Sequence, residues 1–183
     1  MADVDIEMKR SQNTRGIALA ALLAALSLVV LYLSVLSPSG RMGLVAVAGL
    51  LPAAAVISGG PSAGAMCYTA TSILSLILLP DKGNALLYLL FFGLYPLVKY
   101  AVERLRRLTL ELVLKLLFFN AVLTLFWFGF RWAFVAALPA VQTVPWVLYP
   151  AGNVIFLVYD FGFTKLISFY TLRVDRVLRK GRP

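Results

Sequence analysis

Long apolar segments follow one another along most of the chain, and they constrain its fold more than any other feature. A helix that crosses a bilayer needs about 20 predominantly apolar residues, because the hydrocarbon core is about 30 Å thick. Short polar or helix-breaking stretches, among them SPSGRMG, SGGPS and PDKGN, divide the chain into segments of that order. The segments lie at residues 17–36, 44–57, 63–79, 85–98, 112–130 and 146–164. This pattern predicts an all-α integral membrane protein, a compact bundle of six transmembrane helices.

Composition supports the same class of protein. Hydrophobic residues make up 61% of the 183 residues and charged residues 14%. Water-soluble domains average about 45–50% apolar and about 25% charged residues. The second and fourth segments are short for a perpendicular span, and we expect Pro52 and Pro96 to introduce kinks there.

Basic residues predict the orientation of the bundle, because cytoplasmic flanks of membrane helices are rich in lysine and arginine. With the N-terminus inside, 14 of the 17 basic residues fall on inner flanks, and only Arg41, Lys82 and Arg131 fall outside. An odd number of helices would place the basic C-terminal tail outside. We therefore expect both termini in the cytoplasm, with tails at 1–14 and 166–183 on either side of a six-helix membrane domain at 15–165.

Residue types that support catalysis or metal binding are scarce. The chain has no histidine and a single cysteine, Cys67, and none of its apolar segments holds two acidic residues. The sequence also lacks the glycine-rich P-loop that binds nucleotide phosphates, so any ATP dependence has to come from another subunit. We expect a protein that is not an enzyme and needs no cofactor and no metal.

Small residues form two adjacent rows at spacing four in the first helix. Gly16, Ala20 and Ala24 make one row, and Ala21 and Ala25 make the other. Helices in lipid associate through close packing, which small residues at this spacing allow. Two interpretations are open: the rows pack inside the protein's own bundle, or they form a docking surface for a partner membrane subunit.

Three features together resemble the S component of an energy-coupling factor (ECF) transporter. They are the small six-helix architecture with both ends inside, the alanines at spacing four early in helix one, and the lack of a catalytic motif. The resemblance covers residues 12–175, and the family's docking motif carries over to Ala20, Ala21, Ala24 and Ala25. It implies a transmembrane T component and two cytoplasmic ATPase subunits as partners. It also implies a substrate-capture subunit for a small nutrient such as a vitamin, in a bacterial cytoplasmic membrane. The alternative is a non-transporting membrane scaffold or assembly factor.

The family's fold places a ligand site near the outer membrane surface, where this sequence has several polar and aromatic residues. A tryptophan there can stack on a flat ligand, and an arginine can pair with a carboxylate or phosphate. An interfacial aromatic belt is the alternative explanation for the tryptophans. The predicted ligand-binding residues are Arg41, Asn84, Trp127, Arg131, Trp146, Tyr149 and Asn153.

The sixth segment carries a polar face, because Tyr149, Asn153, Phe156 and Asp160 recur on one side of a helix. An acid inside an apolar segment needs a partner, and we expect Lys165 or Arg15 to supply it. A structural ion pair and a role in coupling are both open for Asp160.

One further polar residue and two charged pairs have local expectations. Asn120 is expected to form either an interhelical hydrogen bond or a ligand contact. Glu103 and Arg107, and likewise Glu111 and Lys115, have the spacing of ion pairs along one helix.

Overall fold

The computed structural model is all-helical over the residues it describes. These are 2–37, 40–105, 107–129 and 145–180 for the backbone, and 14–37, 40–105, 107–129 and 147–172 for the side chains. The helices are α1 (Ala2–Leu36), α2 (Arg41–Leu78), α3 (Lys82–Leu87), a π-helical segment (Tyr88–Phe92), α4 (Tyr95–Glu103), α5 (Leu108–Gly129) and α6 (Pro145–Lys180).

Five helical stretches among these residues are long and apolar enough to cross a membrane. They are Thr14–Leu36, Arg41–Leu78, Lys82–Glu103, Leu108–Gly129 and Val147–Leu172. The third stretch joins α3, the π-helical segment and α4, and Pro96 lies in the first turn of α4, where a missing N–H is tolerated. An all-helical protein with several apolar helices of spanning length agrees with the predicted membrane class.

A backbone break divides α2 at Gly60, not at Pro52. Gly60 has φ 83° and ψ 175°, and Pro61 follows it without an N–H to donate. In one continuous helix the residues 52 and 64 would be about 18 Å apart. Instead, a Cβ on Gly64 would lie 3.2 Å from the carbonyl oxygen of Pro52 and would overlap Val56. The chain therefore reverses direction at Gly60, and the two halves of α2 pack side by side.

Helix α1 packs against both halves of α2. Leu23 and its alanine neighbours on α1 share an apolar cluster with Ala55 before the break and Cys67 after it. Two hydrogen bonds also join α1 to the two halves of α2. Ser27 Oγ donates to the Ala48 carbonyl before the break at 3.0 Å, and Thr71 Oγ1 after the break donates to the Ala24 carbonyl at 3.5 Å. These three helical segments form the alanine-rich side of the bundle.

The prediction of an outward docking surface was wrong for two of its five residues. Ala20 and Ala24 are 3% and 4% exposed, and they lie in the cluster between α1 and α2. The Gly16 Cα lies 3.8 Å from the position of a Cβ on Gly59, so this row supports a close internal approach. Ala21 and Ala25 are exposed. The helical row was predicted correctly, but the side that it faces depends on where α2 packs.

Aromatic rings hold α6 to α4 and α5. Phe156 and Phe163 on α6 are buried in a cluster with Phe91 and Tyr95, and Phe119 of α5 stacks on Phe156 at a centroid distance of 4.7 Å. The opposite side of α6 exposes large apolar side chains, which suits contact with lipid. Examples are Val154, Ile155, Val158 and Phe161.

Gly64 provides a direct test of the chain reversal. We expect Gly64→Ala to lower the free energy of unfolding by about 1–3 kcal/mol, because the added methyl group overlaps Val56 of the neighbouring half-helix. Gly43→Ala is the matched control, since a Cβ on Gly43 meets nothing within 4 Å. Thermal unfolding of the purified protein measures both. Equal stability of the two variants would contradict the side-by-side packing.

Candidate functional site

A network of five charged side chains joins α4, α5 and α6. Its first centre is Lys99, which is 2% exposed. The Lys99 ammonium lies 2.6 Å from Asp160 Oδ1 and 2.6 Å from Glu103 Oε1, and it donates to Thr164 Oγ1 at 2.8 Å. Tyr95 also donates its hydroxyl proton to Asp160 Oδ1.

Lys115 is the second centre of the network, and it is 4% exposed. Its ammonium lies 2.9 Å from Glu111 Oε1, 3.0 Å from Glu103 Oε1 and 3.2 Å from Asp160 Oδ2. Asp160 therefore places one carboxylate oxygen on each lysine, and Glu103 shares a single oxygen between them. This bridging makes the five side chains one unit and not separate ion pairs.

Local helix geometry explains why these residues meet. Lys99 and Glu103 are four residues apart near the end of α4, and Glu111 and Lys115 are four residues apart near the start of α5. Residues at this spacing share one helix face, and the short connection between α4 and α5 turns those two faces toward each other. Asp160 then enters from α6.

The partners of Asp160 differ from the predicted ones. Neither Arg15 nor Lys165 pairs with it: Arg15 is exposed, and the Lys165 ammonium lies 5.4 Å from the ring centroid of Phe161. Asp160 pairs with Lys99 and Lys115. The available signal was a lysine four residues from a glutamate at the border of an apolar segment, whereas the positive-inside rule assigns both lysines to the cytoplasmic flanks.

The two expected helical pairs have different outcomes. Glu111 and Lys115 form the predicted ion pair. Glu103 bonds to Lys99, four residues before it, and to Lys115 across the helix interface, where Arg107 had been expected as its partner.

The network is suited to holding helices together. It contains three carboxylates and two ammonium groups, and both lysines are buried. Removing one partner from a buried ion pair costs about 3–5 kcal/mol, because the remaining charge keeps its desolvation penalty. Among the described residues no group of His, Cys, Asp and Glu side chains is arranged to hold a metal ion.

Two predicted ligand-binding residues lie at the opposite end of the bundle. Arg41 Nη1 lies 3.6 Å from Asp81 Oδ2, and Arg41 Nε donates to the Ser37 carbonyl at 3.3 Å. Asn84 is buried and donates from Nδ2 to Ser34 Oγ at 3.0 Å. These contacts connect the start of α2 and the C-terminal part of α1 to α3.

The predicted polar face of α6 packs on α5. Asn120 and Asn153 exchange hydrogen bonds of 2.9 and 3.2 Å through their amide groups, and the hydroxyls of Thr124 and Tyr149 lie 3.0 Å apart. Asn120 therefore forms the expected interhelical hydrogen bond.

The tryptophans and Arg131 complete the predicted ligand-binding set. Trp127 is half-buried and packs on the cluster that contains Tyr88. Arg131 and the side chain of Trp146 lie outside the described residues, so their expected role stays a prediction.

Comparisons with protein-family models, curated proteins and solved structures found no match for this chain. Its function has to be inferred from the arrangement of its own residues.

Asp160 and Asp81 form a matched pair for mutagenesis. We expect Asp160→Asn to lower the free energy of unfolding by about 3–5 kcal/mol, because two buried lysines lose a carboxylate. Asp81→Asn removes the exposed Arg41 pair and should cost about 1 kcal/mol or less. Thermal unfolding of the purified proteins checks both values. A second removal, Lys99→Met in the Asp160→Asn background, should recover part of the loss, and additive losses would contradict a shared network.

Proposed function

We propose that this chain is the substrate-capture subunit of a multi-subunit, ATP-driven importer, an S component of the ECF type in a bacterial cytoplasmic membrane. It takes up a small nutrient such as a vitamin or a related molecule. The difference between the two ends of the bundle is the observation that supports this function.

The chain reversal at Gly60 supports a count of six membrane spans. A continuous helix of 38 residues would be about 57 Å long, far more than the hydrocarbon core of about 30 Å. With residues 41–59 and 61–78 as separate spans, successive segments alternate in direction. Gly60, Glu103 and the end of α6 then lie on the side of the N-terminus, which the basic flanks assign to the cytoplasm.

The Arg41–Asp81 ion pair at the outer end in this orientation is a weak contact. Arg41 and Asp81 have side chains that are 46% and 31% exposed, and such a pair contributes about 0–1 kcal/mol. This ion pair therefore adds little to the cost of separating the start of α2, which carries Arg41, from α3. At the inner end, the network around Asp160 holds α4, α5 and α6 together with buried charges. A bundle that opens on the outside and stays closed on the inside captures a solute without acting as a channel.

The energy for transport has to come from partners in this proposal. The sequence has no P-loop, and the resemblance supplies a transmembrane T component and two cytoplasmic ATPases. Ala21 and Ala25 are the exposed part of the small-residue pattern in α1 and remain the proposed docking surface. Ala20 and Ala24 support that surface from within, because they fix the close packing of α1 on α2.

A membrane scaffold or assembly factor is the second candidate. It is favoured because four predicted ligand-binding residues already bond to other residues of the chain. They are Arg41, Asn84, Tyr149 and Asn153. A solute binder is stabilised against heat by its solute, since a ligand that binds only the folded state raises the unfolding free energy. A scaffold shows no such solute-dependent shift.

Substitutions on the two faces of α1 test the docking surface. We expect Ala21→Leu with Ala25→Leu to leave the melting temperature nearly unchanged and to abolish co-purification of a membrane partner, because leucine holds a partner helix away. Ala20→Leu is the internal control and should cost about 1–3 kcal/mol of stability through overpacking against α2. Retention of the partner by the exposed-face variant would contradict the docking surface.

Labelling of single cysteines tests the six-span count. The native Cys67 is replaced by serine, and an impermeant thiol reagent is applied to intact cells carrying Pro80→Cys or Arg107→Cys. We expect labelling at residue 80 and protection at residue 107 until the membrane is opened. If α2 crossed the membrane only once, the two positions would exchange their behaviour.

A further inference from the structure

Uncharged polar side chains gather in the bundle interior, away from the charged network. They come from α1, from the second half of α2, and from α3 with the π-helical segment that follows it. All six are at most 2% exposed, and we call them the hydroxyl–amide column: Ser27, Ser34, Thr71, Ser72, Asn84 and Tyr88. None of the six carries a charge, in contrast to the five charged side chains of the network around Asp160.

Four members of the column have hydrogen-bond partners. Asn84 donates to Ser34, which donates to the Leu31 carbonyl at 2.6 Å. Ser27 and Thr71 donate to backbone carbonyls on neighbouring helical segments. These bonds fix the positions of the four side chains. The hydroxyl protons of Ser27, Ser34 and Thr71 are already donated to backbone carbonyls.

Two members have no partner among the described residues. The Tyr88 hydroxyl and Ser72 Oγ are buried and make no hydrogen bond of good geometry there, although Thr71 and Ser27 lie beside the Tyr88 phenol and Tyr68 lies beside Ser72. A buried polar group without a partner is destabilising, so native proteins rarely keep one unless another molecule or a function accounts for it. Each hydroxyl can donate one hydrogen bond and can also accept hydrogen bonds, which suits a ligand that both donates and accepts them.

The backbone around Tyr88 is also irregular. Tyr88 begins the π-helical segment, whose wider turn is closed by the Gly93 N–H donating to the Tyr88 carbonyl at 2.8 Å. Single π-helical turns inside α-helices occur often at functional sites. Tyr68 supports the site from α2: its ring lies 6.5 Å from the Tyr88 ring, and its hydroxyl donates to the Leu89 carbonyl at 2.8 Å.

We infer that the hydroxyl–amide column is a binding site for a small uncharged molecule that both donates and accepts hydrogen bonds, held by Tyr88 and Ser72. This inference rests on the proposed solute-capture function and names the class of its substrate. A carboxylate or phosphate is disfavoured, because a charge buried among neutral groups has no partner and Arg41 is already paired with Asp81.

The column begins near the outer end of the bundle. Asn84 follows Asp81 by three residues, and Tyr88 lies one helical turn, about 6 Å, further into the bundle. Asn84 and its partner Ser34 are therefore the members of the column nearest to Asp81, and Tyr88 lies behind them. The exposed ion pair and the uncharged column thus follow one another along α3.

Acetamide and acetate are suitable probes, since they have nearly the same size and differ in charge. The full-length protein in lipid nanodiscs is heated with each probe at equal concentration, as wild type and as the double variant Tyr88→Phe with Ser72→Ala. We expect acetamide to raise the wild-type melting temperature more than acetate does, and we expect the double variant to lose the acetamide shift. An equal shift with acetate, no shift with acetamide, or a shift retained by the double variant would overturn the site.

The unpaired state of the hydroxyl is tested without any probe. Tyr88→Phe should leave the melting temperature unchanged or higher, whereas Tyr68→Phe should lower it, because Tyr68 loses its bond to Leu89. A decrease in Tyr88→Phe as large as that in Tyr68→Phe would show a permanent partner such as bound water and would overturn the inference. Co-purification of a membrane partner with the wild-type protein is measured separately. Its absence would contradict the proposed role as an importer subunit, whereas a missing response to acetamide would contradict the proposed binding site.

Discussion

A charge inside a membrane bundle needs a counter-charge at contact distance, and in this protein that requirement determines how the last three helices pack. Lys99 and Lys115 are buried on two different helices, and Asp160 reaches both of them from a third. Because Asp160 has one oxygen on each lysine, α6 has only one register in which both bonds form. The same face of α6 also carries Phe156 and Phe163, which pack in the aromatic cluster. It carries Asn153 as well, which forms the amide pair with Asn120.

The other half of the bundle depends on a different kind of contact. Alanines and glycines on α1 and α2 allow close approach, and the reversal at Gly60 brings the two halves of α2 onto α1. Polar groups there are neutral and engage backbone carbonyls, as Ser27 does with Ala48. Neutral polar groups suit contact with an uncharged solute, whereas the charged network suits a region that keeps its shape. The proposed function depends on this division.

Local pattern was enough to predict an all-helical protein with several apolar helices, but not the ends of those helices, since α1 begins at Ala2 and α6 continues to Lys180, nor the contacts between them. The apolar segments and the SGGPS break could be identified because hydropathy and glycine–proline chemistry act over a few neighbouring residues. Ala20 and Ala24 were recognised as a row, yet their inward direction depends on α2, which is distant in sequence. The partners of Asp160 were missed for the same reason, since Lys99 and Lys115 lie 61 and 45 residues away. The unpaired Tyr88 hydroxyl has no sequence signal.

In the proposed function, one end of the bundle opens easily and the other does not. Amide hydrogen exchange of the full-length protein in nanodiscs, followed by mass spectrometry, measures this difference without knowledge of the solute, because exchange reports the free energy of local opening. Peptides around the Arg41–Asp81 pair should exchange faster than peptides that carry Lys99, Lys115 and Asp160. Equal exchange at the two ends, or faster exchange around Asp160, would contradict the account.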